Sequence, residues 1–541
     1  MLEELERRLG LNTSPTVFFT SAVFIVMFVA LAALFPGPIA DGFGAAAGYI
    51  SESLGWFYIL IVTIFVGLVI ALGFSRYGRL RLGPDDARPR YGNLTWFAML
   101  FTAGIGSVLM FFGVAEPISV MNDNPMGLES RTAQAEVALN FPLYHYGLHA
   151  WGVFGLAGLA LAYFSYRRGM PLRIRSAFYP LFGERIYGPI GHAIDIFTVL
   201  GTVFGVAVTL GLAGSQVNAG VTRVTGIAST ELVQAIIIGV ITLGAVVSVA
   251  LGLDRGIKRL GQLNMVLAVA LLAFLIVAGP TIFLLQGFVQ NTGYYFQHLV
   301  EFSFWNQNFG DDGWQGSWTV FIWAWQISWA PFVGMFIARI SYGRTIREFV
   351  VGVLFAPLAF TILWFSVFGG TALDIEMNGP GGLADALAES TSLALFALLD
   401  NFPFALATSL LAIAVICIFF ITSADSASLV LDNLTAGDEG ESLAKQRIFW
   451  ASALGAIAIV LLAAGGLDAL SNVVTTTGLP FCLVLALMSV SLVKGLREER
   501  DAVRPLTTAE REAVMETDPG LSGDLRSRDL RSREPEREPQ S

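Results

Sequence analysis

Two cysteines and four histidines in 541 residues leave little material for a disulfide framework, a thiolate metal centre or a histidine-rich active site. Both cysteines, Cys417 and Cys482, fall inside apolar runs and read as small packing residues. Charge is equally scarce. Charged side chains make up 14% of the chain against 55% hydrophobic content, and the mean hydropathy is +0.67, which excludes a soluble globular protein. The net charge is −10, so no nucleic-acid partner is expected. A removable leader is not apparent either. Glu3, Glu4, Arg7 and Arg8 lead into the first apolar run without a small-residue cleavage pattern, so that run reads as a retained span.

What the chain has in abundance is long apolar runs. A membrane helix needs about 20 mostly apolar residues. Twelve runs qualify: 15–36, 53–75, 95–115, 134–165, 189–222, 229–252, 263–287, 314–338, 346–370, 402–431, 447–466 and 473–494. Arginine orients them. Arg76, Arg79, Arg81, Arg88 and Arg90 follow the second span, and Arg167, Arg168, Arg173 and Arg175 follow the fourth. Arg255, Lys258 and Arg259 follow the sixth, and Arg339, Arg344 and Arg347 the eighth. Segments 37–52, 288–313 and 371–401 contain no lysine or arginine, so even-numbered spans end inside and both termini are cytoplasmic.

Two of the twelve spans are poor membrane helices. The third is opened by Gly104 and Gly106, and the eighth carries Trp323, Trp325 and Trp329 before Pro331. Glycine exposes backbone and proline removes a donor, so polar groups freed at membrane depth must be buried in protein or face a cavity. Span 3 starts inside and span 8 outside, so spans 3–7 and 8–12 form two five-span units of opposite orientation. Inverted repeats of this kind carry alternating-access transport, with substrate between the broken helices.

The runs Met99-Leu-Phe-Thr-Ala-Gly-Ile-Gly-Ser-Val-Leu-Met-Phe-Phe-Gly-Val-Ala-Glu-Pro117 and Trp323-Ala-Trp-Gln-Ile-Ser-Trp-Ala-Pro331 resemble the betaine/choline/carnitine transporter family. So do Tyr144-His-Tyr-Gly-Leu-His-Ala-Trp151, Thr202-Val-Phe-Gly205, Gly343-Arg-Thr-Ile-Arg-Glu-Phe349 and Phe419-Phe-Ile-Thr-Ser-Ala-Asp-Ser-Ala-Ser428, which extends the resemblance over nearly the whole membrane region. The resemblance implies an all-α membrane protein of twelve transmembrane helices with a five-plus-five, leucine-transporter-like inverted repeat. It also implies a homotrimer and secondary transport of quaternary ammonium or sulfonium solutes.

Such a solute explains the aromatic residues. A trimethylammonium head has no N–H to donate, so ring faces are its partners, each worth about 0.5–2 kcal/mol. Family position places the cage on Tyr146, Trp151 and Phe154 of span 4 and Gln326 of span 8, with backbone from Ile105 and Gly106. Sodium-coupled betaine carriers usually have tryptophan at the positions of Tyr146 and Gln326, and tyrosine at that of Phe154. This cage therefore has less π-surface but gains an amide and a phenol. Trp325 and Trp329 complete the candidate set. Tryptophan in a membrane helix is more often an anchor or packing residue, an alternative that weighs most on Trp323 and Trp325. Trp329, four residues after Trp325 and beside the proline, could line a cytoplasmic exit path. Val108 stands where an acidic residue is associated with choline acceptance, and its apolar side chain leans toward a zwitterion such as betaine.

The only cofactor expected is Na⁺ as coupling ion. Thr422 and Ser423 offer adjacent hydroxyls, and the resemblance places Phe419 and the carbonyls of Thr102 and Ile105 around the same ion. A second family site uses Thr202 and a hydroxyl four residues on, where this chain has Val206. His145 and His149, also four apart, lack a third ligand nearby and read as hydrogen-bonding residues rather than a metal site. Asp195 and Asp425 lie in or near spans, where carboxylates are functional candidates.

The chain thus divides into two N-terminal helices and a loop (1–94), a first repeat (95–290), an extracellular amphipathic connector (291–313), a second repeat (314–494) and a charged, mostly disordered cytoplasmic tail (495–541). The expected activity is Na⁺-coupled import of a methylated osmolyte such as glycine betaine across the plasma membrane, among membrane lipid, for osmoprotection. The alternatives are a carnitine-type substrate/product exchanger, or a carrier of choline or a related sulfonium or sulfonate solute. A channel would need a continuous polar pore and an enzyme a catalytic cluster, and the sequence shows neither.

Overall fold

The structure, a computed structural model of the chain, describes residues 2–101, 106–251, 254–310, 313–437 and 443–503. Among these it is helical throughout, with β-pairing limited to two isolated bridges, Thr13 with Ala436 and Arg81 with Thr345. The chain through Leu492 packs as one compact unit, and the part from Val493 is a second.

After a short helix Leu2–Leu9, fourteen helices frame the molecule, in order α1 (Pro15–Leu34), α2 (Pro36–Phe74), α3 (Asn93–Phe101), α4 (Gly106–Asn122), α5 (Arg131–Tyr146), α6 (Leu148–Ala162) and α7 (Pro189–Thr225). They continue as α8 (Glu231–Ala250), α9 (Asp254–Ala278), α10 (Thr281–Phe304), α11 (Phe321–Ile340), α12 (Ile346–Asn378), α13 (Ala405–Thr435) and α14 (Ala444–Val503). Local chemistry sets several boundaries. Proline occupies the first turn of α1, α2 and α7, where its missing N–H costs no helical bond. Thr345 and Glu348 open α12 with a reciprocal capping box, each side chain accepting from the other's backbone N–H.

Ten helical stretches among the described residues are long and apolar enough to cross a membrane, counting α5 and α6 as one. The third expected span is divided into α3 and α4, and residues 102–105 between them, Thr102, Gly104 and Ile105 included, lie outside the described residues. The eleventh and twelfth expected spans run together as α14, interrupted by non-helical backbone at Gly465 and Gly466, the latter at a left-handed φ of 65°. The seventh expected span also needs correcting: it stops at Ala278, because Pro280 cannot continue the helix, and 281–287 belong to α10, which occupies much of the expected connector. From 504 onward the expected tail lies outside the described residues.

A second correction concerns the eighth span. Pro331 does not break it: α11 is continuous from Phe321 to Ile340. The irregularity comes earlier, as a π-turn over Gly316–Val320. Proline is tolerated where neighbouring helices hold a membrane helix in place. Here α6 does so closely: a Cβ on Gly334 would stand 2.7 Å from the Ala157 Cβ and 3.0 Å from the Gly158 nitrogen.

Burial separates a core from a shell. In its most apolar window the α5–α6 stretch is 100% buried and the α11 stretch 94%, against 28% for α8 and 28% for α9. Helices buried on every side form the centre, and the outer ones expose apolar side chains such as Val23, Val240 and Leu243. The arginine-bearing loops after the second, fourth and eighth spans gather together. Arg81 donates to the Gly343 carbonyl at 2.9 Å, Arg167 pairs with Asp85 at 2.6 Å, and Arg344 reaches Asn93 and the Tyr91 carbonyl at 2.9 Å each.

Candidate functional site

The central crossing bends where the site lies. Between α5 and α6, Gly147 takes φ −90° and ψ −129°, so the chain leaves helical geometry immediately after Tyr146. The freed N–H of Leu148 donates to the Tyr295 hydroxyl of α10 at 3.2 Å. This break has no proline and a single glycine to announce it, and the sequence did not single it out. A side chain at Gly147 would collide with the Leu143 carbonyl and approach Tyr295.

Two cavities flank this crossing. The first is small, about 20 Å³, and Tyr146, Ala150 and Phe154 line it from one side. Trp325, Gln326 and Trp329 line it from α11, and Val108 from α4. Five of the expected cage residues therefore converge. Trp151 is not among them. It lines a second cavity of about 30 Å³ together with Gly106, Leu109, Trp364 and Phe419. Helical periodicity explains the separation. Within α6, Ala150 and Phe154 are four residues apart and share one face, whereas Trp151, one residue on from Ala150, is turned about 100° from it. Trp151 still touches the cage from behind, its ring packing edge-on to Phe154 at 5.8 Å.

Side chains around the first cavity are held firmly. The Tyr146 ring stacks between Phe365, at 5.7 Å, and Phe112, at 5.9 Å. Trp325 stacks on Phe321 at 5.7 Å, and its indole N–H donates to the Gly205 carbonyl at 3.0 Å and to Thr209 Oγ1 at 3.1 Å. Trp325 is thus both wall and strut. Gln326 Nε2 donates to the His145 carbonyl at 2.7 Å.

Behind Tyr146 lies a polar chain that sequence reasoning passed over. Glu116 of α4 contacts His145 Nδ1 at 2.5 Å, and His145 Nε2 meets Thr319 Oγ1, in the π-turn, at 3.0 Å. Glu116 and His145 are fully buried. The chain joins the third, fourth and eighth crossings beside the cage. The available signal was a carboxylate inside an apolar run, near one of only four histidines. His149 reaches Ser303 Oγ through Nε2 at 3.0 Å, so both histidines take the bonding role expected of them.

Of the expected ion ligands, Phe419, Thr422 and Ser423 lie together on α13, while Thr102 and Ile105 are outside the described residues. Gly106 faces this group. A Cβ there would fall within the Phe419 ring, so only glycine admits so close an approach. Thr422 donates to the Ile418 and Phe419 carbonyls at 2.9 and 3.2 Å; these bonds use its hydrogen and leave oxygen lone pairs for a cation. Thr202 likewise bonds back to Thr198 at 2.7 Å. The two flagged aspartates have cationic partners: Asp195 pairs with Arg175 at 3.5 Å and Asp425 with Arg447 at 3.2 Å.

Comparison with known proteins identifies the family. The family model described as BCCT, betaine/carnitine/choline family transporter, matches residues 16–501. The chain is 43% identical over 499 residues to a glycine betaine transporter of Acinetobacter baylyi, covering 92% of this chain and 76% of that one. It is 42% identical over 513 residues to an ectoine/glycine betaine/proline transporter of Corynebacterium glutamicum, covering 93% and 83%. A high-affinity choline transport protein of Escherichia coli is 40% identical over 492 residues, covering 90% and 72%. An all-helical, multi-pass chain that matches this family from its first crossing to its last belongs to the betaine/carnitine/choline transporters, and it is a membrane carrier rather than an enzyme.

Proposed function

We propose that this carrier imports a quaternary-ammonium compatible solute such as glycine betaine, driven by Na⁺, as protection against osmotic stress. The observation that carries the reading is the cavity between α6 and α11, where Tyr146, Phe154, Trp325 and Trp329 bring aromatic rings around one small space. The solute's onium head sits among the rings. Its carboxylate lies toward the main chain that leads into α4. Sodium binds on the far side of that chain, between Thr422, Ser423 and the carbonyls of Thr102 and Ile105, so that solute and ion stabilise the same backbone.

In this reading α3 and α4 form one crossing and α14 two, which restores twelve crossings in two inverted five-crossing units. Both termini are cytoplasmic, the carrier resides in the plasma membrane, and three copies assemble. One ion moving inward gains about 2.3 kcal/mol per 100 mV, enough to concentrate solute substantially.

The test is uptake of labelled glycine betaine into liposomes containing the purified carrier. Accumulation above the external concentration under an inward Na⁺ gradient is expected, with loss of accumulation when Na⁺ is replaced. Uptake that ignores Na⁺ and requires solute inside the vesicle would mark a carnitine-type exchanger instead.

A further inference from the structure

The bend at Gly147 frees backbone groups, and the side chains that take them up converge beside the solute cavity. The carbonyls of His145 and Tyr146 end α5 beyond the reach of its own N–H groups. Gln326 Nε2 donates to the first at 2.7 Å, and Thr361 Oγ1 donates to the second at 3.5 Å. The side chains of the same two residues turn to a single carboxylate. Glu116 Oε1 meets His145 Nδ1 at 2.5 Å, and the Tyr146 hydroxyl also hydrogen-bonds to Glu116. The far side of the His145 ring is held by Thr319 Oγ1 at 3.0 Å. Glu116 itself is closely confined, because a Cβ on Gly369 of α12 would stand 2.8 Å from the ring of the following residue, Pro117. Glu116 and His145 are 0% exposed and Tyr146 is 2% exposed, so bulk water does not compete for these bonds.

A buried carboxylate–imidazole pair can simply join helices. This one grips two consecutive residues at the point where the helix gives up its own hydrogen bonds, and both lead to the cage. Tyr146 lines the solute cavity directly, and Gln326 reaches it while bonded to the His145 carbonyl. Glu116 does not line the cavity. We propose that Glu116 is a positioning residue for the solute: its carboxylate aims the Tyr146 ring and holds His145 so that Gln326 faces the same space. Solute affinity then depends on α4 being seated against the bend. Since α4 is the part of the third crossing that follows residues 102–105, the solute senses the placement of that crossing through Glu116. This role rests on the solute-carrier reading and deepens it by one residue that acts through others.

The test is calorimetric binding of glycine betaine, in saturating NaCl, to the full-length carrier purified in detergent. The wild type is compared with Glu116→Leu, Tyr146→Phe and the double variant. Calorimetry reads stoichiometry, hence the folded fraction, separately from the dissociation constant, so lost folding does not mimic lost positioning. Glu116→Leu is expected to raise the dissociation constant about tenfold, the value of a hydrogen bond to a charged group. Glu116→Gln, which keeps an acceptor for His145, should stay within about threefold of the wild type. In the Tyr146→Phe background the loss from Glu116→Leu should shrink about threefold or more, because the two residues act as a unit. Should Glu116→Leu fail to fold, Glu116→Met carries the same cycle. Wild-type affinity in Glu116→Leu, or losses that multiply independently in the double variant, overturns the positioning role and leaves the solute-carrier reading standing. A wild type that does not bind glycine betaine overturns both.

Discussion

The two cavities on either side of the fourth crossing share a helix and little else. Both are lined mostly by apolar surface; the one between α6 and α11 has Tyr146 and Gln326 among its lining residues, and the one containing Trp151 has Thr361. In the latter, the Trp364 indole is already committed to the Leu109 carbonyl at 3.0 Å. Aromatic residues alone therefore do not identify a binding site. Buried polar atoms without a partner occur at both, Gln326 Oε1 and Trp329 Nε1 at the first and Trp151 Nε1 at the second, and it is the second that brings Gly106 of α4 against Phe419 of α13. We place the solute in the first space; the second is lined by Phe419, one of the residues proposed for the ion.

Substitutions can break or sharpen this division. The largest effect is expected from Gly106→Leu, which forces a side chain into the Phe419 ring: overpacking of about 1–3 kcal/mol or more in a moving part should reduce uptake to background. Retained uptake would show that α4 and α13 need not approach. Trp329→Leu removes a ring and a donor from the solute cavity, and should raise the dissociation constant for glycine betaine about tenfold in calorimetry. Thr422→Ala combined with Ser423→Ala should leave solute affinity at saturating Na⁺ near wild type while raising the half-saturating Na⁺ concentration by roughly threefold or more. Trp151→Leu, whose ring supports Phe154 from behind, should weaken solute binding by only about twofold, a small fraction of one cation–π contact. Equal losses from Trp329→Leu and Trp151→Leu would erase the distinction between the cavities.

Most of the membrane architecture was legible because an apolar run of helix length has few alternatives, and arginine marks its ends. The expected break at Gly104 falls within 102–105, outside the described residues, between α3 ending at Phe101 and α4 starting at Gly106. Pro331 misled because its cost depends on neighbours: α6 presses against α11 along Gly158 and Gly334, and that pressure is invisible in a linear reading. The bend at Gly147 was hidden for the converse reason, since Tyr295, which satisfies the freed N–H, lies 147 residues away in sequence. Family position named Tyr146, Phe154 and Gln326 correctly as neighbours in space. Trp151, named with them, lines the neighbouring cavity and meets Phe154 edge-on from there. Glu116 sat inside a recognised motif and was read as part of the pattern rather than as a carboxylate in need of a partner.

The Trp325 indole bonds to Gly205 and Thr209, and the His145 imidazole to Thr319, so α11 and the π-turn before it are pinned on one side to α7 and on the other to α5. A tilt of the eighth crossing must either snap these pins or drag two neighbours along.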